Sequence, residues 1–171
     1  MTLRALIPLL LLPAMVTPAL AQGGEDVVGL PVGARPEPVV IEDLSGGAYD
    51  LAEWVGSTPM LLEFWATWCE NCAALLPEME AAYAEFGERV AFVAVAVAVA
   101  QSKRSIRRHL TRHPVPYPVV WDTRGRATRA FKAPTTSYIV ILDASGTVTY
   151  TGVGPSQDVR GALRSLFPQA P

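Results

Sequence analysis

Cysteine and histidine are scarce in this chain: two of each stand among 171 residues. With Cys69 and Cys72 as the only cysteines, no second cysteine pair exists to complete a zinc site, and His109 and His113 lie far beyond the short spacing of a finger. Long uninterrupted apolar runs are missing as well. Pro8, Pro13 and Pro18 break the run from Ala5 to Leu20, which is short for a membrane span. Val90 to Ala100 is apolar too, but its Val–Ala alternation is too short and too β-branched for a membrane helix. Internal repeats and low-complexity tracts are absent, and the length suits a single domain behind a leader.

That leader is Met1 to Ala21: Arg4 at the start, an apolar middle, and Ala19-Leu20-Ala21 as a small-residue cleavage site. The pattern is a secretory signal peptide cleaved after Ala21, with an uncleaved anchor as the alternative. The residue directly after the cleavage site is Gln22 and not a cysteine, so a lipidated anchor is not expected. Arg4 is the one basic residue in the leader, which leaves 13 basic against 16 acidic residues beyond it. The charges are unevenly spread. From Gln101 to Lys132 there are nine basic residues and one acid, Asp122. Such a face could dock an acidic partner or anionic lipid, or be no more than a solvated helix and loop. Nucleic acid is not an expected partner of an exported chain.

What is present is concentrated in Trp65-Ala66-Thr67-Trp68-Cys69-Glu70-Asn71-Cys72, after an apolar run and at the start of a helical pattern. A thiol placed where a strand ends and a helix begins sits at the positive end of the helix dipole, which favours the thiolate. The second thiol, one turn on, is placed to resolve a mixed disulfide. A purely structural bond across so short a loop would restrict little of the unfolded chain. In an oxidising compartment a pair that cycles needs an external source of electrons or oxidant, so a partner is implied.

In chain order, Gln22 to Pro38 reads as a Gly- and Pro-rich arm, with 22–36 as the linker and 37–171 as the domain. Val39–Asp43 and Ala48–Leu51 form a hairpin through Ser45-Gly46-Gly47, and Ala52–Val55 makes a helical turn. Met60–Ala66 is a buried strand carrying one unexpected charge, Glu63. Leu75, Leu76, Met79, Tyr83 and Phe86 recur at helical spacing up to Gly87, with Pro77 kinking the helix. Val90–Ala100 is a central strand, and Ser102–Arg112 a basic helix with Ile106 and Leu110 inward. Val115–Trp121 leads into another strand, and Ala127–Phe131 is a short helix. Ser137–Asp143 and Thr147–Thr151 pair antiparallel. Ser156–Phe167 closes the chain as a helix capped by Ser156 and stopped by Pro168. The sum is an α/β fold, a mixed central sheet flanked by helices.

Four features in order make the chain resemble the thioredoxin fold: Glu63-Phe64-Trp65-Ala66 entering the motif, Trp68-Cys69-Glu70-Asn71-Cys72, the kink at Pro77, and Ala133-Pro134-Thr135-Thr136 before a strand. Within that fold it is similar to the TlpA/ResA-like exported thiol-disulfide oxidoreductases, over roughly Glu37 to Phe167. These share the leading β-hairpin and a helix-strand insertion after the central strand. The resemblance implies a cis-proline at Pro134 facing the disulfide, with the Ala133 backbone pairing with an extended substrate and Trp68 and Thr135 beside it. It also aligns Glu63 with a buried acid whose raised pKa suits proton exchange with Cys72. Asn71 departs from the proline usual at its position, and Leu75 from the acid of ResA-type reductants.

The implied reaction is thiol–disulfide exchange: Cys69 attacks and Cys72 resolves, with no cofactor beyond the redox-active disulfide. Glu70 puts negative charge beside Cys69 and works against a strongly oxidising pair, so a reductant is expected. It would be recharged by a membrane electron donor and act on apocytochrome c thiols or a copper-site protein, as a monomer. The alternatives are a copper or zinc carrier using Cys69 and Cys72 with His109 or His113, and an oxidising, disulfide-forming protein. Peroxide reduction needs a threonine three residues before the reactive cysteine, where Ala66 stands.

Overall fold

The computed structural model describes Val28 to Phe167; the expected leader, residues 22–27 of the arm and the Pro168 stop lie outside the described residues. The elements are β1 (Val40–Asp43), β2 (Ala48–Asp50), β3 (Met60–Trp65), α1 (Glu70–Phe86), β4 (Ala91–Val97), α2 (Lys103–Arg112), β5 (Val119–Asp122), α3 (Arg126–Ala130), β6 (Tyr138–Leu142), β7 (Val148–Val153) and α4 (Val159–Arg164). One mixed sheet orders the strands β2-β1-β5-β4-β3-β6-β7. Strands β3, β4 and β5 run parallel, while the β1–β2 hairpin and the β6–β7 hairpin attach antiparallel at the two ends. The central strands lie between two layers. Phe92 to Val97 are all buried, which explains a strand without polar alternation.

Alternation in β3 assigns its side chains to the two layers. Phe64 meets the rings of Phe131, which follows α3, and Tyr138 at 5.8 and 5.6 Å. Glu63 and Trp65 face the other way, toward α1 and α2. Helix α1 buries Leu75, Met79 and Phe86 almost completely, each worth about 2 kcal/mol in removed apolar surface. It continues through Pro77 to a cap at Gly87. Helix α4 lies along α1, joined by Arg160–Glu78 and Arg164–Glu85 at 3.0 and 2.8 Å.

Three local expectations change. Residues 52–55 form turns rather than helix. The last helix starts at Val159, capped by the Asp158 carboxylate accepting from Gly161 N at 2.8 Å, and not at Ser156. The reason lies at Gln157, whose side-chain amide donates to the carbonyls of Ser137 and Gly154 and holds that stretch against the β6–β7 hairpin. The described part of the arm is docked rather than loose. Leu30 is buried and its N–H donates to the Tyr138 hydroxyl at 3.1 Å. Gly33 and Ala34 exchange backbone bonds with Val148, which covers the outer edge of β7. Gly29 (φ 77°) is required there, because a Cβ would collide with the Tyr138 ring.

Asp122, at the end of β5, is buried and spends both oxygens on α3. It accepts from Ala127 N (3.2 Å), Thr128 N (2.8 Å) and the Thr128 hydroxyl (2.7 Å). Thr128 O in turn accepts from Ala133 N at 2.9 Å, so the loop before β6 hangs on this carboxylate. Asp122→Ala is expected to cost about 3 kcal/mol, because buried donors lose a charged acceptor. Urea unfolding of both proteins measures it; a loss within experimental error of zero would contradict the assignment.

Candidate active site

Strand β3 delivers the chain to the site and α1 receives it. After Trp65 the backbone turns, with Cys69 N donating to Ala66 O at 3.1 Å, and Cys69 becomes the N-cap of α1. Its sulfur accepts from Cys72 N at 3.1 Å, so a helix-end donor points at the atom that carries charge in the thiolate. Cys69 and Cys72 form a disulfide across a Cα–Cα distance of 5.3 Å.

The disulfide borders a mostly apolar cavity of about 130 Å³ whose lining includes Glu63, Trp65, Leu76, His109, His113 and Val115. Glu63 is buried in the middle of β3, opposite Ala94 on β4 and Ile139 on β6. Burial, with no cation beside it, pushes its carboxyl up to about 7. Glu63 thus lines the same cavity as the two cysteines, with its carboxyl raised toward neutral pH. Tyr117 is buried too, and burial followed by the charges of Glu63 and Glu80 raises its phenol. The Tyr117 hydroxyl and the Trp65 indole nitrogen have no partner among the described residues.

The histidines, separated by chain from the motif, come to the same cavity. His109 lies 5.6 Å from the Trp65 ring and 4.8 Å from His113, ring to ring. Burial first, then the charges of His113 and Arg112, hold His109 below the usual imidazole range. No group of three His, Cys, Asp or Glu side chains among the described residues is placed to hold a metal ion.

Ala133, Pro134, Thr135 and Thr136 line a separate groove with Trp68, Val97, Val99 and Thr128. Trp68 is half exposed and forms the wall between this groove and the motif. The expected cis bond is not found: no peptide among the described residues is cis, so Ala133–Pro134 is trans. An X–Pro bond prefers trans by about 0.5–1 kcal/mol, and the loop reverses here through left-handed Lys132 (φ 48°) and Ser137 (φ 62°). Pro134 lines the same groove as Trp68, the residue before Cys69. Glu70 and Asn71 are both exposed in the first turn of α1.

One positioning residue has no signal in the local pattern. Gln101 accepts from Thr67 N at 2.9 Å and donates to Val97 O at 2.6 Å, while Trp68 Nε1 donates to Val99 O at 2.8 Å. Together they stitch the motif loop to the segment after β4, where Ala100 takes φ 51°. The nearest clue in the sequence is that β4 must stop before a polar Gln-Ser pair.

A family model described as Redoxin matches residues 31–166. The chain is 26% identical over 170 residues to a protein named thiol-disulfide oxidoreductase ResA from Geobacillus thermodenitrificans, covering 98% of this chain and 97% of that one. It is 31% identical over 129 residues to the thioredoxin-like protein YneN of Bacillus subtilis, 74% of each. Among solved structures, a secreted Mycobacterium tuberculosis disulfide oxidoreductase homologous to E. coli DsbE superposes with a TM-score of 0.64 at 25% identity. That match spans 75% of this chain and 96% of the other.

Proposed function

The chain belongs to the redoxin family and is a thiol-disulfide oxidoreductase of the ResA kind, and from that premise we propose that it works as a reductant on client proteins outside the cytoplasm. The observation that carries the reading is the Cys69–Cys72 pair capping α1 beside the buried Glu63 carboxyl. In the dithiol form the Cys69 thiolate attacks a client disulfide. The client's bond breaks as the Cys69–client bond forms, and the departing client sulfur takes up a proton. Cys72 then gives its proton to Glu63, and its thiolate attacks the Cys69 sulfur. The client's second sulfur leaves, protonated from the Glu63 carboxyl, and the protein disulfide is restored. Two electrons and two protons pass to the client, so a donor of two electrons must recharge the pair.

Several features favour donation over oxidation. One helix-end N–H reaches the Cys69 sulfur, while the neighbouring first-turn residue is the acid Glu70. A less stabilised thiolate makes the dithiol the stronger electron donor. Residues 1–21 read as a signal peptide, and the Mycobacterium tuberculosis relative is described as secreted. No described helix is long and apolar enough to cross a membrane. An exported reductant needs electrons passed across the membrane, hence a membrane electron donor as partner. Clients of the cytochrome c maturation or copper-site type, handled by a monomer, fit this reading.

Equilibration with thiol buffers, followed through the fluorescence of Trp65 and Trp68 next to the disulfide, gives the reduction potential. A value near about −270 mV is expected, and one near about −120 mV would make the protein an oxidant.

A further inference from the structure

Of the nine basic residues between Gln101 and Lys132, the five Lys and Arg on α2 divide into two groups by position. Lys103 and Arg107 point toward the β1–β2 hairpin, where Lys103 pairs with Glu42 at 2.8 Å and Arg107 donates to Leu44 O. Arg104, Arg108 and Arg112 recur every fourth residue, so they form one stripe along the helix, and all three are exposed. None of them is ion-paired to another described residue. At 100° per residue the stripe leans, through Arg108 and Arg112, toward the flank that carries His109. His109 lines the disulfide cavity and feels the charge of Arg112, which ties the stripe to the mouth of the active site.

The stability of the helix accounts only for Arg112, a cation in the last turn where the dipole favours it, and gives no reason for Arg104 and Arg108. The first turn of α2 contains no acid and two bases, Lys103 and Arg104, which oppose the helix dipole. Three like charges at four-residue spacing repel one another. Such a stripe stores unfavourable electrostatic energy that an anionic partner would release.

We propose that Arg104, Arg108 and Arg112 dock an acidic segment of the disulfide-bearing client, laid along α2 so that its disulfide meets Cys69. The proposal rests on the exchange chemistry above and adds the chemical class of substrate. A membrane surface is the weaker occupant, because the stripe ends at Arg112, close to the His109 that lines the disulfide cavity, the side from which a substrate rather than a bilayer must come. Glu70, exposed beside Cys69, repels the same acidic segment from α1 and leaves α2 as the side on which it can lie. The apolar wall of Trp68 and Val99, both exposed, offers contact for the residues flanking the client cysteine.

The test uses two peptides closed by the same disulfide, one flanked by Asp and Glu and the other by Ser and Gln. The reduced protein should react with the acidic peptide roughly 10-fold faster at low salt, the low end of electrostatic steering. That advantage should shrink steadily with added salt and vanish as the screening length falls toward about 3 Å. In the triple variant R104Q/R108Q/R112Q the acidic peptide should slow to the rate of the neutral one, whose own rate stays unchanged and shows the disulfide chemistry to be intact. Equal rates for the two peptides in the native protein, or an advantage kept by the triple variant, would overturn the docking surface while leaving the oxidoreductase reading in place. Reaction with neither peptide would overturn both. Arginine-dependent binding to phosphatidylserine vesicles without peptide discrimination would make the stripe a membrane site instead and also overturn the proposal.

Discussion

Cys72→Ser is expected to stop turnover and to leave the protein covalently attached to its client, one client per chain, through Cys69. The wild-type resolving step is intramolecular: Cys72 sits one turn into α1, with its Cα 5.3 Å from that of Cys69. Proximity of this kind raises the effective concentration of the attacking thiol far above that of any free thiol. Serine at position 72 removes the attacking sulfur, so the mixed disulfide persists until an added thiol cleaves it. Cys69→Ser should give no adduct and reduce exchange to the uncatalysed background. Exposure does not assign the two roles, since Cys69 and Cys72 are 8% and 7% exposed. The N-cap position does, by placing a helix-end donor on the Cys69 sulfur. Non-reducing gels with a disulfide-bearing peptide read the result. Turnover by Cys72→Ser, or an adduct in Cys69→Ser instead, would reverse or remove the assignment.

Glu63→Gln should have two opposite effects, a more stable protein and a slower one. Glu63 has a folded-state value of about 7 against an ordinary 4.5. Between those values the folded state holds a proton that the unfolded state has lost, so wild-type stability falls as pH rises from 4.5 to 7 and then levels off. At 1.36 kcal/mol per pH unit the full penalty is about 3 kcal/mol. Glutamine never ionises. The variant should therefore gain up to about 3 kcal/mol over wild type at pH 8, and that gain should disappear below pH 4.5. Denaturant melts at pH 4.5 and pH 8 decide this, and a pH-independent difference would mean that the burial penalty is not carried by this group. Activity should fall by about 100-fold at pH 7, the lower end of general acid–base contributions. The inflection near pH 7 in the rate of the resolving step should vanish with it.

Much of this site could be read from consecutive residues, because its parts are local. An apolar run followed by Cys69-Glu70-Asn71-Cys72 and then by Leu75, Met79 and Phe86 states a strand, a thiol cap and a helix in one stretch of chain. Glu63 announced itself as the one charge in a strand that is otherwise apolar, and burial then set its chemistry. The hairpins, the central strand and the basic helix followed equally from periods of 2 and 3.6, which depend only on neighbours along the chain.

What remained was settled by sheet order, which brings together residues distant in sequence. Gln101 reaches back 34 residues to Thr67, and Tyr138 reaches 108 residues to Leu30. Those two bonds fix the motif loop and turn an apparent linker into a docked arm. The trans bond at Pro134 reflects how the loop closes through Lys132 and Ser137, a matter of where α3 ends and β6 begins. The approach of His109 and His113 to the disulfide depends on α2 crossing the same face as Glu63 and Trp65. Composition and spacing therefore determined the chemistry of this protein, because thiol placement at a helix start is a local property. Only the packing of α2 against the sheet decided what surrounds the thiols, because the face a helix covers is chosen by its partners.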